Sequence, residues 1–188
     1  MIASYRDKFE SVAVAEPLLG EVGADAAVTN SDKEAVAKAI TAAAVKDAGF
    51  DSLDAAAAEK TAFVFMGHGT SHTAKVSYSQ MQMTMQTLGY DNVFVGTVEG
   101  EPEDTACEAV IEKIKEAGYT KVVLRPLMVV AGDHANNDMY GDEEDSWKSM
   151  IEKMGVKTVG HLQGIGRNAA VQAIYVQHAV AAEAGVQR

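Results

Sequence analysis

The chain has 188 residues, which fits one large domain or one and a half small ones, and its 47% hydrophobic content is ample for a buried core. Its formal net charge of −11 excludes the basic face that non-specific nucleic-acid binding needs, and it disfavours an anionic membrane surface. The one cysteine, Cys107, permits neither an internal disulfide nor a cysteine-based zinc site, and no apolar run approaches the roughly 20 residues of a membrane span.

Met1 to Glu10 carries Arg6, Asp7 and Lys8 and no apolar stretch, so it does not read as a signal peptide, and a cytoplasmic location is expected. Ser11–Leu19 is expected as a strand ending at Pro17-Leu18-Leu19. A helix follows from about Lys33 to Asp47, with Ser31 or Asp32 as its cap, and Ala55–Glu59 reads as linker or a short helix. A lone strand and helix cannot bury their own apolar faces. This opening segment, 1–57, is therefore expected to pack on the rest of the chain or on a partner.

From Thr61 onward, strand and helix patterns alternate. Ala62–Met66 is a short apolar run, and Tyr78, Met81, Met85 and Leu88 then fall at helical spacing up to Gly89. Val93–Val98 is the next strand. Asp104–Ala117 is a helix with Ala106, Val110, Ile111 and Ile114 on one face. Lys121–Val130, the most apolar strand, is expected at the centre of the sheet. Ser146–Met154 is helical, Val156–Val159 is a short strand, and Asn168–Ala184 is a closing helix with Asn168 as its cap. The order predicts an α/β fold over 58–188, with a parallel four-stranded sheet flanked by helices on both faces.

Ligands of such sheets bind beyond the carboxyl ends of the strands. His68 lies between Gly67 and Gly69 just past the first strand, Glu99 past the second and His134 past the third, so the topology gathers all three on one rim. Glycine on both sides of His68 lets the backbone approach a bulky ligand. Two imidazoles and a carboxylate suit cobalt, nickel, iron or zinc, and their spacing does not choose among these. Asp133 could orient His134. His72 reads as an exposed neighbour of the site, His161 follows a strand without a clear role, and His178 reads as structural. Met81 and Met85 read as core, and Asp142–Asp145 as an acidic first turn of the next helix.

Met66-Gly67-His68-Gly69-Thr70, Val98-Glu99-Gly100, the run from Arg125 to Met139 and Asp145-Ser146-Trp147-Lys148 together resemble the anaerobic sirohydrochlorin cobaltochelatases of the CbiK type, among the class II tetrapyrrole chelatases. The resemblance covers roughly residues 5–182. It implies a chelatase-like three-layer sandwich and a lyase that inserts Co²⁺ into sirohydrochlorin during cobalamin synthesis. Co²⁺ is then the substrate ion, with Fe²⁺, Ni²⁺ or Zn²⁺ as possible substitutes and no organic cofactor. It implies His68, Glu99 and His134 as metal ligands, with His68 and Glu99 catalytic and His68 also taking pyrrole N–H protons. The family is two-lobed. Here Tyr5-Arg6-Asp7-Lys8-Phe9 to Pro17-Leu18-Leu19 resembles the closing strand of the first lobe, most of which is absent, so 1–57 reads as a remnant of that lobe. The resemblance therefore implies a homo-oligomer or a partner chain completing the cleft, with no nucleic acid or membrane involved. Arg125, Arg167 and Lys75 are candidate cations for the ring's carboxylates. The alternatives are a non-catalytic metal- or tetrapyrrole-binding module, and a chelatase for Fe²⁺ or Ni²⁺.

Overall fold

Strands β1 (Thr61–Gly67), β2 (Val93–Thr97), β3 (Lys121–Pro126) and β4 (Lys157–Gly160) run parallel in the spatial order β2-β1-β3-β4 in the computed structural model, which describes residues 8–186. Residues in register include Phe65 with Val95 and with Arg125. Every residue of β1 and β2 is buried. Side chains alternate between the faces of a strand, so each face of this sheet carries its own core.

Phe63, Phe65, Val93, Val95 and Val123 meet Val36, Ile40, Met81, Met85, Val171 and Ile174 on one side. These come from helices α1 (Ser31–Asp47), α3 (Val76–Thr87) and α6 (Ala169–Val186). Ala62, Val64, Met66, Val122 and Leu124 face the other way, against Val110, Ile111, Ile114, Trp147 and Ile151 of α4 (Cys107–Glu116) and α5 (Trp147–Glu152). The chain moves from β1 outward to β2, then back across β1 to β3. Right-handed crossovers put α3 and α4 on opposite faces when the direction reverses, as observed. The reversal leaves a crevice beyond the carboxyl ends of β1 and β3.

The segment before β1 differs from its sequence reading. Ser11–Leu19 is not a strand; it is irregular backbone closed by a turn in which Gly20 N–H donates to Pro17 O at 2.8 Å. None of the sheet's four strands offers it a partner. Side chains satisfy its carbonyls instead: Lys33 Nζ donates to Leu19 O (2.8 Å) and Glu21 O (2.9 Å), and His178 Nδ1 donates to Glu16 O. Lys33 is fully buried by this, and desolvation pulls its ammonium below the usual lysine range against the opposing charge of Asp32. Tyr5, Arg6 and Asp7, which carry part of the resemblance to a closing strand, lie outside the described residues.

Other boundaries move for local reasons. Asn30, not Ser31 or Asp32, caps α1, accepting from Lys33 N–H at 2.9 Å. The segment 55–59 is mostly helical, within α2 (Leu53–Ala58). The helix expected from Asp104 begins with a tight turn at Glu103–Thr105 and becomes α-helical only at Cys107, because Ala106 is extended. Strand β3 ends at Pro126. The next residues leave the sheet, where Met128 O and Val129 O accept from Ile165 and Gly166 N–H, and Val130 is 73% exposed. The acidic run Asp142–Asp145 precedes α5 rather than forming its first turn, and Ser146 caps that helix.

Candidate functional site

His68 and Glu99 are held together by backbone. The β1–β2 ladder runs two steps past its regular end, with Val98 N–H donating to Gly67 O at 3.0 Å and Glu99 N–H to His68 O at 2.9 Å. The glycines around His68 make this closeness possible. At Gly67, a Cβ would fall 2.3 Å from the Tyr78 ring. At Gly69, φ is +91°, and a Cβ would fall 2.9 Å from Cβ of Glu99 and 3.1 Å from that of Thr97. Tyr78, placed by its spacing on the core face of α3, also receives Gly69 N–H on its hydroxyl at 3.2 Å.

His134 arrives from β3 on a feature that the sequence does not announce. Residues His134–Met139, polar at most positions, form one wide π-type helical turn. Ala135 and Met139, four apart, are fully buried against the α4–α5 core and anchor the turn. His134 and Asp138, also four apart, point outward, and their side chains meet at 2.6 Å between Nδ1 and Oδ2. Asp138, not Asp133, is therefore the residue that orients His134. π-type turns recur at functional sites, where the extra residue re-aims side chains.

The hydrogen bonds fix both imidazole tautomers. His68 Nδ1 lies 2.9 Å from Gly69 O, a carbonyl that can only accept, and His134 Nδ1 faces a carboxylate. Each Nδ1 must carry the proton, so each neutral ring keeps a lone pair on Nε2. The two rings stand edge to face with centroids 4.5 Å apart, and His68 Nε2 is 4.0 Å from Glu99 Oε1. The side chains of His68, Glu99 and His134 are each about half exposed, so the group opens to solvent on the rim. Among the described residues, no three of His, Cys, Asp and Glu already stand in a closed metal-holding geometry. This set is gathered but open. It can accept a proton or a soft-to-borderline cation on either Nε2, but not both on the same atom.

The remaining candidates separate from the rim. His72 caps the turn at Thr73–Lys75, accepting from Ala74 N–H. His178 joins α6 to Glu16 and Asp32. Cys107 is buried in α4, and burial pushes its thiol up to about 12, which leaves it protonated and inert. Lys75 is paired with Glu101. Arg125 is not a rim cation: it shares a strand face with Val123, and only 8% of its side chain is exposed, with NH1 2.7 Å from Asp47 Oδ2. A groove of about 720 Å³ between α4 and α5 contains none of the three rim residues. No helix among the described residues is long and apolar enough to cross a membrane.

Comparison with known proteins identifies the family to which the chain belongs. The family model for cobalt chelatase (CbiK) matches residues 1–183. The sirohydrochlorin cobaltochelatase of Salmonella typhimurium is 42% identical over 115 residues, covering 61% of this chain and 42% of that protein. The sirohydrochlorin cobaltochelatase CbiKC of Nitratidesulfovibrio vulgaris is 31% identical over 176 residues, covering 94% of this chain and 55% of that protein. The chain thus spans about half the length of these relatives. A solved structure of a cobalamin (vitamin B12) biosynthesis CbiX protein from Marinobacter aquaeolei VT8 superposes with a TM-score of 0.47 and 17% identity, covering 66% of this chain and 98% of that one.

Proposed function

Since the chain belongs to the CbiK cobalt chelatase family, we propose that it supplies the metal-handling half of a sirohydrochlorin cobaltochelatase, a lyase-class enzyme inserting Co²⁺ into the ring. The observation that carries this reading is the convergence of His68, Glu99 and His134 with both Nε2 lone pairs free. Co²⁺ enters as substrate, held by the two imidazoles and the Glu99 carboxylate, a mixed set that suits a borderline ion. Insertion must strip the ion of water and remove two N–H protons from the ring. A half-exposed His68, beside Glu99 and 4.5 Å from His134 between centroids, can release the ion and then take a proton on the same Nε2. Residues 58–188 are the chelatase domain in this reading, and 1–57 remain from the N-terminal lobe. A second copy or a partner chain completes the cleft over the rim, in the cytoplasm.

Calorimetric titration with Co²⁺, with a sirohydrochlorin insertion assay followed by absorbance, tests the reading. His134→Ala and Glu99→Gln are expected to weaken Co²⁺ binding at least tenfold, and wild-type affinity in both variants would sink the assignment. A second reading is a metal- or tetrapyrrole-binding module without turnover, favoured by the open, half-exposed arrangement of the three rim residues. Tight binding with no insertion would select it. Competition with Fe²⁺, Ni²⁺ and Zn²⁺ identifies the preferred ion.

A further inference from the structure

On the α1 side of the sheet, away from the group of His68, Glu99 and His134, a cavity of about 250 Å³ opens between α1, the end of β3 and the turn at Ile165–Arg167. Its charged lining is Arg125, Arg167, Lys46 and Asp47, three cations against one carboxylate in a chain of net charge −11. Arg125 is more than nine-tenths buried, and its protein hydrogen bonds both run through NH1, to Asp47 and weakly to Ala43 O. Its other guanidinium nitrogens are absent from the fully enclosed unpartnered atoms, which among the described residues comprise only Gln80 Oε1. They are thus not fully enclosed, and Arg125 lines the cavity. Among the described residues, neither Arg167 nor Lys46 is engaged in an ion pair. A planar guanidinium with free donors, backed by two further cations, matches the geometry and charge of an oxyanion.

We propose that this cavity is an oxyanion site, taking a carboxylate or phosphate group on Arg125, with Arg167 and Lys46 closing over it. The site does not rest on the metal-binding reading, because none of its residues belongs to that group. The anion could arrive free or as one carboxylate arm of a larger ring. A built-in reporter stands beside it. His161 lies below the usual imidazole range through burial and the Arg125 charge, against the opposing pull of Asp47. An anion on Arg125 offsets that charge and must raise the midpoint of His161.

The experiment follows His161 by NMR in the full chain, with its resonances assigned through His161→Gln. pH titrations are run in phosphate, in malonate, in a metal-free polycarboxylate porphyrin, and in chloride at matched ionic strength. Phosphate, malonate or the porphyrin is expected to raise the His161 midpoint by about 1 unit in a saturable way. Arg167→Ala and Lys46→Ala, both at exposed positions, should each weaken the anion about tenfold, the equivalent of one charge-assisted contact. A response to the free ions alone assigns a free anion as the ligand. A response to the porphyrin that phosphate displaces assigns a carboxylate arm. The site is overturned if none of the three gives a saturable shift, if chloride reproduces it, or if both variants bind as wild type does.

Discussion

The two histidines are held by unlike partners, which on the proposed function gives them unequal strength as metal ligands. His68 leans on a backbone carbonyl, whereas His134 is held by the Asp138 carboxylate at 2.6 Å. A carboxylate partner fixes the ring and makes its far nitrogen a stronger donor to a cation, and loss of such a partner typically costs 10- to 100-fold in metal affinity. Asp138→Asn keeps the size of the side chain and removes the charge. It should weaken Co²⁺ binding by about 10- to 100-fold while leaving the melting temperature within a few degrees, because the pair is nearly half exposed. Asp133→Asn, four residues from no imidazole, should change neither quantity. Equal effects from the two substitutions would show that the Asp138 contact does not organise the site.

Elements place these residues, and their legibility in the sequence follows from how each element is built. The strand–helix alternation could be read because β1, β2 and β3 bury both faces and appear as mostly apolar runs, interrupted in β3 by Arg125. The rim could be read because parallel strands bring His68, Glu99 and His134 to the same end. The turn at His134–Met139 was hidden: its polar letters suggest a loop, and only the spacing of Ala135 and Met139 signals a one-turn anchor. Strand parity could have found the burial of Arg125, since Val123 two residues earlier faces the α1 core. Ser11–Leu19 misled because its apolar letters do not mark a buried strand: only Leu18 is buried, and Val14 is 72% exposed. The junction of β1 and β2 is testable through Gly69. Gly69→Ala places a Cβ at φ +91° and 2.9 Å from Glu99 Cβ. It should cost about 1–3 kcal/mol by chemical denaturation, and push Glu99 away from His68. Co²⁺ binding should therefore fall even at temperatures where the variant is fully folded. Unchanged stability and affinity together would mean that the close approach is not needed.

At the scale of the whole molecule, charge sets two opposing problems. A chain of net charge −11 attracts a divalent cation and repels a ring whose edge carries carboxylates. Both fields act over the Debye length, which shrinks from about 30 Å at 0.01 M salt to about 8 Å at 0.15 M. Half-exposed His68, Glu99 and His134 feel this screening more than a buried set would. The proposed function therefore implies opposite salt dependences for its two substrates. Association of Co²⁺ should slow as salt rises over this range, because screening removes long-range attraction. Association of sirohydrochlorin should accelerate, because screening removes long-range repulsion, leaving only the contacts made at short range. Stopped-flow measurement of each association rate, with the other substrate absent, separates the two slopes. Were the ring's association to slow with salt as well, a cationic surface would be guiding it. The Arg125, Arg167 and Lys46 cavity would then be the first place to look, since its three cations outnumber its single carboxylate.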